Sequence, residues 1–131
     1  ARNIIYNAKT MSDEFISLGY NLISGGTDTH LLLVDLTSKN IDGKTAEIGL
    51  GKAGITVNKN MIPFDQKSPF VTSGIRIGTP AVTTRGMGKD EMKIIVNWVD
   101  YVLKNLDNDT KLNRVKKDVH SLCSSFPVYE N

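Results

Sequence analysis

Through residues 3–18, apolar positions recur at helical intervals: Ile4, Ile5, Ala8, Met11, Phe15 and Leu18 share one face. Gly19 follows where a left-handed cap belongs, so the spacing predicts a helix that stops there. "YNLISGG" is a short apolar segment closed by a glycine pair. "HLLLVDLT", residues 30–37, is branched and short, and reads as a buried strand. Asp42 then suits an N-cap, with Ala46, Leu50 and Ala53 on the inner face of a second helix that Gly54 ends. "ITVNKN", residues 55–60, is a further strand candidate, and a loop bearing Pro63 and Pro69 follows it.

Two more amphipathic stretches close the chain. Over 89–106, Met92, Ile95, Val96, Val99, Val102, Leu103 and Leu106 form one stripe, and Asp90 and Glu91 in the first turn complement the helix dipole. After Asp109, Leu112, Val115, Val119, Leu122 and Phe126 share a face. No repeat, low-complexity tract or internal linker interrupts this order. The pattern predicts one α/β layer domain, an open sheet covered on one face by helices.

The stretch "SPFVTSGIRIGTPAVTTRG", residues 68–86, holds the least ordinary pattern. Arg76 stands between Ile75 and Ile77, with Gly74 and Gly78 beyond them. Strand alternation turns the isoleucines one way and the arginine the other. A guanidinium keeps its charge and offers a planar fork that matches a carboxylate through two parallel bonds. The flanking glycines leave room for a ligand or another backbone to approach. One charge-assisted contact contributes about 1.5–3 kcal/mol, enough to orient a small acid. The alternative is a structural ion pair with Asp35, Asp65 or another acid. Asn60 pairs a donor with an acceptor, which suits a heterocycle edge, and equally suits a turn before Pro63.

Composition narrows the remaining possibilities. The 131 residues fit one domain, and 40% hydrophobic and 23% charged residues are ordinary for a folded chain. A formal charge of +2 gives no reason to expect nucleic acid or an anionic membrane. Lys111, Lys116 and Lys117 read as a solvated helix face. No apolar run is long enough to span a bilayer, and no secretion signal is expected. Cys123 is the only cysteine, which excludes an internal disulfide and suits a reducing, cytoplasmic setting. The chain starts at Ala1 rather than methionine, which processing or truncation would each explain.

Other motifs fall to their context. "GLGKAG", residues 49–54, spells a dinucleotide fingerprint, but it sits at a helix end before a strand, the reverse of the order that presents free amides to phosphate. "DGKT" lacks the upstream glycine of a phosphate loop, where Ser38 stands instead. His30 and His120 have no partners at metal-ligand spacing, so no metal site is expected. Cys123, near the apolar stripe of the last helix, reads as a small buried hydrophobe rather than a nucleophile, and "NDT" at 108–110 as a helix start.

"ISGGTDTHLLLVDL", "GITVNKNMIPFDQKSPFVTSGIRIGTPAVTTRG" and the closing "FPVYE" together resemble the C-terminal part of bacterial-type serine hydroxymethyltransferase. That family uses pyridoxal 5'-phosphate on the aspartate-aminotransferase fold, and interconverts serine and glycine with transfer of a one-carbon unit to tetrahydrofolate. The resemblance implies a helix linking to a large domain over residues 1–19, and a C-terminal small domain with a mostly antiparallel sheet over 20–131. It gives Arg76 the α-carboxylate of serine or glycine, and Asn60 a hydrogen bond to the folate pterin. It also implies a homodimer in the full-length protein.

The family's Schiff-base lysine lies in a threonine-rich stretch ending in His-Lys. No such stretch occurs here, and neither Lys52 nor Lys59 has that context. No catalytic or cofactor-binding residue is therefore expected in these 131 residues, which alone are expected to be inactive and to leave the cofactor unbound. A free-standing binding module that kept the fold is the alternative. An exposed docking face would also favour self-association.

Overall fold

A computed structural model describes residues 2–23, 31–78 and 87–126. Helix α1 spans Arg2–Ser17, strand β1 Asn21–Leu22 and β2 Leu31–Asp35. A 3-10 turn, Thr37–Lys39, leads to α2, Gly43–Lys52, and then β3, Asn58–Asn60, and β4, Gly74–Gly78. Helices α3, Lys89–Leu103, and α4, Asp109–Ser125, complete the order.

The strands form one antiparallel sheet in the order β1-β2-β4-β3, as the layer pattern and the resemblance implied. On one face Leu32, Val34, Ile75 and Ile77 are buried, and the helices pack against them. Helix α1 brings Ala8, Met11 and Phe15, and α2 brings Ala46, Leu50 and Ala53. Met92, Val96, Val99, Val102 and Leu103 of α3 fill the centre, with Leu112 and Val115 of α4 at its side. These are the positions that helical and strand periodicity assign to the interior.

The termini of the elements follow local chemistry. Gly19 (φ 87°) and Gly54 (φ 79°) take the left-handed conformation that ends α1 and α2. Asp42 accepts a hydrogen bond from the Thr45 amide at 2.7 Å, and Asn108 accepts one from Lys111 at 3.1 Å, each capping a helix start. The third amphipathic stretch is shorter than its stripe suggests. Helix α3 ends at Leu103, and Leu106 packs on the core from the following turn. Strand β3 is shorter too, because residues 55–57 run alongside without ladder partners, although Val57 is buried. His30, the glycine pair of "YNLISGG", residues 79–86 and most of "FPVYE" lie outside the described residues.

Polar bonds tie the segment just after α1 to α3. The buried Tyr20 hydroxyl donates to Asp100 Oδ1 at 2.8 Å, and Lys104 Nζ meets Asp100 Oδ2 at 2.9 Å. Burial, and then the bonded and charged Asp100, push the Tyr20 phenol well above its usual range, so it stays a donor. Phe15 meets the Tyr20 ring edge-on at 5.5 Å, and Lys39 Nζ lies 4.6 Å from its centre.

The start of α2 abuts the segment before β4. Gly43 and Lys44 donate their amides to the carbonyls of Thr72 and Val71, both at 3.0 Å. These carbonyls satisfy helix-start donors that otherwise need a cap or water. A methyl group on Gly43 would collide with Thr72 Oγ1 and the Gly74 carbonyl. Gly51, also helical, has open space around it. Gly43→Ala is therefore expected to destabilise the fold by about 1–3 kcal/mol in urea unfolding. Gly51→Ala in the same assay is expected to be neutral or to stabilise by about 0.5–1 kcal/mol. Equal effects at the two positions would contradict this contact.

Candidate functional site

The register shows which residues lie on the face of the sheet away from the helices. Leu33 on β2 and Asn58 on β3 are the direct cross-strand neighbours of Arg76, while Asp35 and Asn60 both pair with Gly74. Period-two alternation puts these residues on the face opposite Ile75 and Ile77. Arg76 and Asn58 are exposed, and Leu33, Asp35 and Asn60 are half-buried. The isoleucines take the core side, and the arginine is turned outward into solvent. Gly74, opposite Asn60, fits closely: an added Cβ would lie 3.0 Å from the Asn60 carbonyl oxygen, Ile62 Cγ2 and the Val34 carbonyl oxygen.

Neither acid suggested as a structural partner for Arg76 pairs with it. Asp35 Oδ1 accepts from the Thr37 amide at 2.9 Å and the Thr37 hydroxyl at 2.6 Å. Asp65 is occupied by four donors of its own loop. Oδ1 accepts from the Lys67 amide at 2.9 Å and the Ser73 hydroxyl at 2.7 Å. Oδ2 accepts from the Ser73 amide at 2.8 Å and the Ile62 amide at 3.2 Å. Among the described residues no ion pair engages Arg76. The strand thus presents a permanent cation with its donor fork available.

Asn60 spends one amide hydrogen on the next carbonyl, Met61, at 2.9 Å. Among the described residues no further partner takes its second hydrogen or its oxygen. Two residues missed by sequence reasoning stand out here. Asn58 lies beside Arg76, and stepping two positions back from Asn60 would have found it on the same face. Asp65 enters the sequence reading only as a possible partner of Arg76. The Asp-x-Lys spacing signals a side chain that binds backbone two residues on.

A guanidinium fork can bind a carboxylate, and a side-chain amide can bond a polar ring edge. Lys59 pairs with Ile75 on the other side of the sheet, and Lys52 meets Asp109 of α4 at 3.8 Å. Among the described residues no strand lysine shares the face of Arg76. His120 is exposed on α4 and Cys123 is half-buried there. Among the described residues no group of three or more ligating side chains gathers for a metal, and no helix is long and apolar enough to cross a membrane.

This constellation occurs in a chain whose residues 1–99 match the family model for serine hydroxymethyltransferase. Serine hydroxymethyltransferase of Legionella pneumophila strain Corby is 54% identical over 128 residues, and that of strain Paris 53% identical over the same length. Each comparison covers 98% of this chain and 31% of the relative. The chain belongs to the serine hydroxymethyltransferase family, and it spans under a third of the length of these curated relatives.

The charge state of Asp65 gives a direct check on the loop geometry. Partial desolvation pushes its carboxyl up, but the bonds from Lys67, Ser73 and Ile62 outweigh that and hold it at about 2, against an ordinary 3.8. Since the folded value is the lower one, this stabilisation is complete above pH 3.8 and is lost as pH falls towards 2. An acid titration of the Asp65 carboxyl carbon by NMR is expected to show a midpoint near 2. A midpoint at 3.8 would mean that the four bonds are absent in solution.

Proposed function

We propose that these residues form the C-terminal small domain of a pyridoxal-phosphate-dependent serine hydroxymethyltransferase, which passes a one-carbon unit between serine and tetrahydrofolate. In this reading residues 1–19 link to the large domain and 20–131 form the small one. Arg76 receives the α-carboxylate of serine or glycine, and Asn60 bonds the pterin ring of the folate. The observation that carries this is the Arg76 guanidinium, exposed on the outer sheet face between Leu33 and Asn58 and without an ion-pair partner among the described residues. A fork of two charge-assisted bonds fixes both the position and the rotation of a small amino acid. The large domain supplies the cofactor's lysine and phosphate cradle, the full-length protein is a cytoplasmic homodimer, and the 131 residues alone are inert. One carboxylate clamp gives little affinity against the entropic cost of association.

The exposure of Arg76 favours one competing reading, a free-standing module in which the arginine is merely solvated. The two readings separate in the full-length family protein. Arg76→Lys keeps the charge and loses the planar fork, so serine affinity is expected to fall about 10- to 100-fold while cofactor loading is retained. Unchanged serine affinity would remove Arg76 from the site. The isolated 131 residues are expected neither to take on the cofactor's yellow colour nor to convert serine. Either behaviour would refute the division of labour between the domains.

A further inference from the structure

We propose that Asp65 is a positioning residue for the folate side of the site, acting through Asn60; this rests on the folate role proposed above for Asn60. Among the described residues, strand β3 has three residues, lies at the sheet edge and makes its ladder only with β4. Strand β4 is held on both sides, by β2 over five pairs and by β3 over three. Arg76 therefore sits on a braced strand, while Asn60 closes the weakly held one. The connection 61–73 has to return from Asn60 to Gly74, the residue directly opposite it.

Asp65 closes that connection at both roots. One carboxylate oxygen takes the Ile62 amide, two residues after Asn60, and the Ser73 amide, one residue before Gly74. The other takes the Ser73 hydroxyl and the Lys67 amide. Ser73 is almost fully buried, and its carbonyl accepts from the Leu36 amide at 2.9 Å, which anchors this root to the end of β2. Lys67 Nζ adds a 3.3 Å bond to the Ser73 hydroxyl. A single carboxylate thus fixes the gap between the exit of β3 and the entry of β4, and with it the placement of Asn60 relative to Arg76. Along the rest of the edge, Glu47 Oε2 of α2 accepts the Lys59 amide at 2.8 Å.

The role predicts an asymmetric defect in the full-length enzyme. Asp65→Ala removes all four acceptor contacts, and is expected to raise KM for tetrahydrofolate about tenfold while KM for serine changes less than about twofold. Asp65→Asn keeps an acceptor for the two root amides in one orientation and is expected to fall between. A merely structural staple would move both constants together or lower only the yield of folded protein. Unchanged constants, or equal rises in both, would overturn the proposal. Should Asp65→Ala fail to fold, Asp65→Asn and Ser73→Ala carry the same comparison, with a smaller rise in folate KM expected. Asn60→Ala run in parallel separates the two layers: no change there refutes the folate role of Asn60 itself. A rise for Asn60→Ala without one for the Asp65 variants refutes only the positioning role.

Discussion

The architecture depends on one constraint, the two-sidedness of β4. Ile75 and Ile77 are buried in the core that the helices build on one side of the sheet, and a strand has only two faces to offer. Residue 76 is therefore committed to the outer face. Because a guanidinium does not lose its charge, it would be very costly on the inner side. Shifting the register by one residue would bury the arginine and expose both isoleucines, so the hydrophobic core itself dictates where the cation stands. Core packing and site placement are here a single physical fact.

The loop between β3 and β4 obeys a second logic. It exposes Phe64 at 95% and Phe70 at 78%, and Phe64 adopts a left-handed backbone (φ 58°) that non-glycine residues rarely take. Asp65 meets this cost with four hydrogen bonds, and the helix start at Gly43 and Lys44 braces the far end through the carbonyls of Thr72 and Val71. The long connection is thereby tied into α2 and the sheet. What little regular structure β3 has is supplemented from both directions.

Much of this was legible in the chain. The 3.6-residue stripes of α3 and α4 picked out Met92, Val96, Val99, Leu112 and Val115 as interior, and the glycines at 19 and 54 marked helix ends. The alternation around Arg76 gave its side of the sheet before any coordinates. Three things escaped. The end of α3 at Leu103 was hidden because Leu106 continues the apolar stripe from a turn, where burial no longer requires a helix. The brevity of β3 was hidden because Val57 is buried without pairing. The role of Asp65 was hidden because one-dimensional spacing does not reveal that residues 62 and 73 meet. Recognition of the family came from long ordered strings, and the match over residues 1–99 agrees with it.

The most direct measurement is a crystal structure of the full-length protein with glycine bound. The account predicts both carboxylate oxygens within about 3 Å of the Arg76 guanidinium nitrogens, in parallel geometry, with Ile75 and Ile77 still facing the helices. A glycine carboxylate held by another group, with Arg76 pointing away from it, would contradict the account.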